Sequence, residues 1–321
     1  MSHRISIAMA TWNGEQHLPA QLESFLTQTV LPDELVVRDD GSSDRTLQIL
    51  QRFADRAPFE VRILESGPRL GYATNFERAL TAVTGDLIFL SDQDDAWFPE
   101  RVEVIRNASR THPDIQLFIN DIENVGESLE RSGVTKLANL RRAGLPEEHY
   151  VTGCATALRR PLLTFALPFP PGLAAHDKWL HECAHWLGVR SIIPQVLQLY
   201  RRHGQNASNF GISRPQHTGR LRIYLQTLSG NARYSLGQQL LVLEALAIRL
   251  KQHRALATDI AGVRVDAASI RIETRIAALH ARLEVLATSR PQRIGKACQH
   301  YLSGGYDEFL GWKTLIRDLL D

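Results

Sequence analysis

Long apolar runs are missing from this chain of 321 residues. No stretch reaches the roughly 18 apolar residues needed to cross a bilayer. The start, Met1-Ser2-His3-Arg4, passes straight into the strand-like Ile5-Ser6-Ile7-Ala8-Met9. A secretory leader needs a charged start followed by a long apolar stretch, and that pattern is absent. The expected location is therefore the cytosol. Cysteine is scarce, with Cys154, Cys183 and Cys298 odd in number and far apart. They form neither a disulfide framework nor a CxxC metal pattern and read as free thiols. Low-complexity tracts are absent. The net charge is only +2, and no nucleic-acid partner is expected.

What is present suits a globular protein. Hydrophobic residues make up 44% and charged residues 22%, enough apolar material for a core. The length allows two domains, or one with a large extension. Charge is unevenly spread: Lys and Arg exceed Asp and Glu by six over residues 217–321, leaving −4 for residues 1–216. A basic tail half suits an anionic partner such as a membrane surface, or it is a set of solvated helix faces.

The first hundred residues alternate strand and helix. Strands are expected at 5–10, 34–38, 61–64 and 87–90, with helices at 14–29, 44–53 and 74–82 and Gly85 as a helix C-cap. That order argues an α/β fold, a mostly parallel sheet flanked by helices. Ligands of such sheets sit beyond the carboxyl ends of the strands. Thr11-Trp12-Asn13-Gly14, Asp39-Asp40-Gly41-Ser42-Ser43-Asp44 and Ser91-Asp92-Gln93-Asp94-Asp95 follow three of the strands. Gathered carboxylates repel unless a cation binds among them. Asp92 and Asp94 can share one hard divalent ion together with diphosphate oxygens. The bland alternative is an acidic turn capping a helix that starts at Trp97 and Pro99.

Further strands are expected at 117–119, 151–158 and 196–200, a variable loop region over 124–150, and a helix at 179–187. From about 217 the pattern turns helical. Leu/Ala stripes over 236–261 and 267–287 read as an αα-hairpin, followed by an amphipathic stretch at 309–320. The expected division is residues 1–215 and 216–321, the second part a helical extension that closes the site, dimerises or touches a membrane.

The motifs quoted above, with Gln28-Thr29 and Gly85-Asp86-Leu87-Ile88-Phe89-Leu90, resemble family 2 glycosyltransferases of the GT-A fold over the first hundred residues. The form Ser91-Asp92-Gln93-Asp94-Asp95-Ala96-Trp97 is similar to the bacterial rhamnosyltransferase-like branch, which builds O-antigen and capsule polysaccharides. The resemblance implies inverting transfer from a dTDP- or UDP-linked sugar to a glycan or lipid-linked glycan, with Mg²⁺ or Mn²⁺ as cofactor. It implies that Thr11, Trp12 and Asn13 form the nucleoside pocket, Asp40 accepts from the base imide, and Asn75 lines the donor site. Trp12 is equally readable as a core aromatic. Asp92 contacts ribose or metal, and Asp94 the metal. Asp177, in His176-Asp177-Lys178-Trp179, stands where the family keeps its catalytic base, with His176 in place of the usual carboxylate. The alternative for Asp177 is a helix N-cap. In the closing motif Tyr200-Arg201-Arg202-His203-Gly204-Gln205-Asn206, His203 is expected on the metal or diphosphate and Arg202 on phosphate oxygens. A basic surface loop is the alternative.

Two other enzyme classes compete. His181-Glu182-Cys183-Ala184-His185 matches the H-E-x-x-H zinc signature. A catalytic zinc needs a third protein ligand, yet no Asp or Glu follows Glu182 until Glu244. A sugar nucleotidyltransferase needs a Gly-rich phosphate loop after the first strand, which Trp12-Asn13-Gly14-Glu15 is not.

Overall fold

The computed structural model describes residues 3–173, 175–204, 232–309 and 311–320. Contacts divide the chain into a sheet unit (Met1–Phe169, Ala175–His185 and Val189–Ile223) and a helical unit (Pro170–Ala174, Trp186–Gly188 and Tyr224–Asp321). Gln205, Asn206 and the boundary expected at 215/216 lie outside the described residues. No described helix is long and apolar enough to cross a membrane.

The sheet unit begins β1 Ile5–Thr11, α1 Leu18–Leu26, β2 Glu34–Asp39, α2 Thr46–Ala54, β3 Glu60–Leu64, α3 Tyr72–Ala82 and β4 Leu87–Ser91. It continues β5 Ala96–Trp97, α4 Arg101–Thr111, β6 Leu117–Val125, α5 Lys136–Ala143, β7 Thr156–Arg159, α6 Arg160–Ala166, α7 His176–Trp186 and β8 Arg190–Arg201. The strand order is β3-β2-β1-β4-β7-β6-β8-β5. β3, β2, β1 and β4 run parallel, whereas β7 is antiparallel to both its neighbours β4 and β6. This is the expected mostly parallel sheet. Ile5, Ile7, Met9, Leu35, Val37 and Phe89 pack with Leu22, Phe25, Leu50, Phe53 and Ile105 from α1, α2 and α4. Alternation along a strand turns Ala8, Val36 and Ile88, all fully buried, to the other face, where α3 packs on β1 and β2. Each such Leu, Ile or Phe contributes about 1.5–3 kcal/mol. Thr11 pairs with Asp39 and Met9 with Ser91, so the carboxyl ends of β1, β2 and β4 lie side by side.

Several local expectations are corrected. Gly85 is no C-cap: α3 ends at Val83 in extended backbone. A Cβ at Gly85 would lie 2.4 Å from Ser6 Oγ and 2.8 Å from Ser6 N, so this glycine permits close approach to β1. Trp97 starts no helix, because Ala96 and Trp97 pair with Leu199 and Gln198 of β8. Residues 124–150 hold α5, started by Thr135, whose hydroxyl accepts from Ala138 N, and ended by left-handed Gly144. β8 extends through Pro194, a residue without an N–H. The pairing steps from Asn120/Ile193 to Asp121/Val196, a bulge that leaves Pro194 and Gln195 out of the ladder.

The helical unit contains α8 Ala232–Gln252, α9 Arg254–Ala261, α10 Arg264–Ala287, α11 Arg290–Leu302 and α12 Trp312–Leu320. α8 and α10 pack together as the expected hairpin, but the stretch 236–261 is broken at His253. α11 has no counterpart in the sequence reading. It lacks a long apolar stripe and is started by Pro291 in its first turn.

Candidate active site

A cavity of about 610 Å³ opens at the carboxyl ends of β1, β2 and β4. Its lining includes Thr11, Trp12, Asp40, Asn75, Asp92, Asp94 and Asp177. Seven of the residues singled out in the sequence thus meet in one space. Asn13, Arg202 and His203 are not among the lining residues.

The loop geometry follows from short polar residues. Asn13 adopts a positive φ of 46°, which Asn tolerates better than most residues. Its amide oxygen accepts from Ser43 N at 2.9 Å, and its own N–H donates to Ser42 Oγ at 2.8 Å. Asn13 therefore joins the loops after β1 and β2. Buried Asp39 does the same, accepting from Thr11 Oγ1 at 2.9 Å and Ser42 Oγ at 2.6 Å. Gln93 clamps the backbone of Trp12 at two points, accepting from its N–H at 2.8 Å and donating to its carbonyl at 3.0 Å. Trp12 is 37% exposed and is no core aromatic. The Arg69 guanidinium lies 3.5 Å over its ring.

Asp40 is buried and heavily engaged. Arg38 Nη1 donates to it at 2.6 Å, Leu70 N at 2.8 Å and Gly71 N at 2.9 Å. A carboxylate offers about four acceptor positions, so one is left for a ligand. Arg38 Nη1 also donates to Asn75 Oδ1 at 3.1 Å, and Asn75 Nδ2 to Thr11 O at 3.3 Å.

The acidic cluster is divided in its work. Asp95 is fully buried and belongs to the scaffold, accepting from Arg201 N at 3.0 Å and Gln198 Nε2 at 3.1 Å. Asp94 Oδ2 lies 2.7 Å from His203 Nε2. Burial pushes the Asp92 carboxyl up to about 7, with the charges of Asp94 and Asp177 adding to the rise. Beneath the cluster, Arg101 is completely buried. Its Nη2 donates to Cys154 O at 2.6 Å, and burial lowers its pKa to about 9.

Asp92, Asp95 and Cys154 bring possible ligand atoms within 4.8 Å of one another. The chemistry of these donors separates them. Burial holds the Cys154 thiol well above its usual pKa, and Asp95 is already committed to β8. Hard divalent cations prefer oxygen, which Asp92 and Asp94 offer with the imidazole of His203 beside them. A carboxylate such as Asp92, whose charge is suppressed by burial and by acidic neighbours, is what a divalent ion relieves, so these residues fit one.

Asp177, also in the lining, stands in the first turn of α7. The helix begins at His176, so Asp177 is not the N-cap; its Oδ1 accepts from Lys178 N at 2.8 Å. His176 is buried, stacked on Phe76 with ring centroids 4.0 Å apart, and neither of its ring nitrogens has a hydrogen-bond partner among the described residues. Lys136 is buried as well. It donates to Val151 O at 2.8 Å and Thr152 Oγ1 at 2.6 Å, and burial lowers its pKa to about 8. Arg69, Lys136, Thr152 and Gly153 line the cavity without having been singled out, Tyr200 was quoted only within the closing motif, and Cys154 was read only as a free thiol. They lie on loops, on α5 and at the end of β8, where no strand-end acid marks them. The one available signal was Lys136, a cation following the Ser/Thr-type cap at Thr135.

The H-E-x-x-H stretch is structural at its first histidine. Arg190 Nε donates to His181 Nδ1 at 3.0 Å. A guanidinium N–H can only donate, so Nδ1 accepts and the proton sits on Nε2. Nε2 then donates to Thr156 Oγ1 at 2.8 Å, and that hydroxyl donates to Thr152 O at 2.8 Å. No lone pair of this ring remains for zinc.

Residues 6–164 match the profile described as glycosyl transferase family 2, and this part of the chain belongs to that family. The sheet order and the helices on both faces make its fold GT-A. Among curated relatives, the dTDP-rhamnosyl transferase RfbG of Shigella flexneri is 36% identical over 99 residues, 30% of this chain and 34% of that protein. The UDP-Glc:alpha-D-GlcNAc-diphosphoundecaprenol beta-1,3-glucosyltransferase WfgD of Escherichia coli is 30% identical over 173 residues, 51% of this chain and 64% of that one. The chain thus spans less than two thirds of the length of these relatives. Among solved structures, the mannosyltransferase PcManGT of Pyrobaculum calidifontis, in complex with GDP-Man and Mn²⁺, covers all of this chain and 86% of its own. Its TM-score is 0.52 at 19% identity, a likeness of fold.

Proposed function

We propose that this chain is an inverting glycosyltransferase of bacterial polysaccharide synthesis. It moves a sugar from a dTDP- or UDP-linked donor to a hydroxyl of a glycan or lipid-linked glycan. Rhamnose is the first donor sugar to test, because RfbG is a dTDP-rhamnosyl transferase. A UDP-hexose is the second, because WfgD uses UDP-Glc. The observation that carries this reading is the single cavity joining Trp12, Asp40 and Asn75 to Asp92, Asp94 and Asp177.

Each end of that cavity takes a share of the work. Trp12 offers an aromatic face to the base, and Asp40 has one acceptor position for its imide N–H. Asn75 and Thr11 complete the nucleoside side. Arg202 and Asn13 serve from outside the lining, Arg202 toward phosphate and Asn13 by holding the loop. Asp94, Asp92 and His203 would hold Mg²⁺ or Mn²⁺, which when bound neutralises the charge of the departing diphosphate. Asp177 keeps one carboxylate oxygen clear of Lys178 N and takes the proton of the acceptor hydroxyl. The acceptor oxygen forms its bond to the anomeric carbon as the bond to the diphosphate breaks, and the electron pair leaves with the diphosphate. One displacement inverts the anomeric centre. Residues 1–215 form the transferase domain on this reading, and 216–321 a helical extension.

Thermal shifts with nucleoside diphosphates, with and without Mn²⁺, test this assignment. The expected result is a Mn²⁺-dependent rise with dTDP or UDP. No rise with any nucleotide, with a rise on zinc alone, would overturn it.

A further inference from the structure

Among the described residues that line the cavity, His176 alone has buried side-chain nitrogen or oxygen atoms without a hydrogen-bond partner. It is only 5% exposed. A buried polar atom left unpaired is costly, and native proteins keep few of them. Aromatic contacts hold the ring in place. Phe76 stacks on it with 24° between the ring planes, and Tyr72 meets it edge-on at 5.9 Å between centroids. Neither contact serves the ring nitrogens. Gly153, also in the lining, keeps the Nε2 edge open. A Cβ there would lie 3.0 Å from His176 Nε2 and 3.3 Å from Asp177 Cβ.

The chemistry of the ring selects its partner. Burial pushes its pKa below the ordinary 6.5, although Asp177 pulls the other way. The ring is therefore neutral around neutral pH, with one nitrogen donating and the other accepting. A phosphate oxygen only accepts. A sugar hydroxyl both donates and accepts, so it can pair with either edge of the ring. Position selects which sugar. Tyr72, Asn75 and Phe76 line the cavity from α3, and Asn75 accepts from the same Arg38 Nη1 that donates to Asp40. The wall on which His176 rests thus continues from the nucleoside end, and its chain neighbour is Asp177. On the sugar-transfer reading, a sugar joined to a diphosphate at Asp92 and Asp94 and facing Asp177 runs along this wall.

We propose that His176 binds a hydroxyl of the transferred sugar and so distinguishes a nucleotide sugar from the bare nucleotide. This inference rests on the sugar-transfer reading. The test is calorimetric titration of the full chain, in Mn²⁺, with UDP-glucose against UDP and dTDP-rhamnose against dTDP. His176→Phe keeps a ring against Phe76 and removes both nitrogens. It is expected to weaken the nucleotide sugar about tenfold, the loss of one hydrogen bond, and to leave the nucleoside diphosphate unchanged. His176→Gln restores a donor and an acceptor and recovers part of that loss. In histidine ring NMR of the wild-type chain, the signal missing from His176→Gln shifts with the nucleotide sugar and not with the nucleoside diphosphate. A ring that only packs against Phe76 gives equal effects on both ligands or none, and either result overturns the proposal. Wild-type protein that binds neither ligand overturns the sugar-transfer reading itself, and the role of His176 with it.

Discussion

The two units dispose of their polar groups in opposite ways. The sheet unit buries apolar stripes and turns carboxylates outward onto one cavity, where Asp92, Asp94 and Asp177 crowd together. The helical unit buries the Arg282–Asp318–Tyr306 cluster and leaves Trp312, Ile316 and Leu320 in solvent. Crowded acids at a sheet edge and apolar side chains on a helix surface are both unfavourable in isolation. The first is where the cation and diphosphate proposed above would bind.

The sharpest break of this contrast lies in the sheet unit. Asp177→Asn is expected to cut turnover by about 10²–10⁴-fold, the usual contribution of a general base, while the nucleotide thermal shift persists. Turnover near wild type would remove Asp177 as the base. In the helical unit the matching change is Arg282→Ala, which strands the buried Asp318 carboxylate and costs about 3–5 kcal/mol. Denaturant unfolding should show this loss, and Arg282→Met with Asp318→Leu should recover most of it. Gly85→Ala presses a methyl onto the backbone of Arg4 and Ser6 and should cost about 1–3 kcal/mol. A midpoint unchanged by Gly85→Ala would disprove the close approach.

The smallest effect concerns acid. Burial alone would raise the Glu34 carboxyl, but bonds from Ser6, Thr84 and Arg62 outweigh it and hold the pKa at about 2 against an ordinary 4.5. Its folded value is depressed, so its contribution is complete above 4.5 and is lost as pH falls from 4.5 toward 2. Glu34→Gln should flatten the melting temperature over that interval. An unchanged slope would show that Glu34 is not the titrating group.

The sequence carried the first half of the molecule further than the second. Alternating Ile/Val/Leu runs and the acids after them located β1, β2 and β4, since a strand end and its ligand side share one stretch of chain. Asp95 read like its neighbours Asp92 and Asp94. Its different task depends on Gln198 and the Arg201 N–H, a hundred residues away, and no local pattern encodes that. Gly85 looked like a helix end because the residue it avoids, Ser6, belongs to another strand. The cavity wall of Lys136, Thr152 and Cys154 escaped for the same reason: α5 and the turn before β7 have weak periodicity, and long-range packing decides their position. The exposed face of α12 was invisible as such, because amphipathicity says that a helix has two sides and not which one is buried.

The chain of bonds from Arg190 through His181 and Thr156 to the Thr152 carbonyl runs in one direction only. Each member has a single permitted proton arrangement, and the series ends at Thr152 in the cavity lining. Thr152 also accepts from Lys136, which extends the same fixed order to the cavity edge beside Asp177. Acid is the one agent that could reverse it. A proton on His181 Nδ1 would face the Arg190 N–H, donor against donor, and burial already drives the pKa of this ring well below its ordinary 6.5. The ring therefore keeps this one proton arrangement around neutral pH.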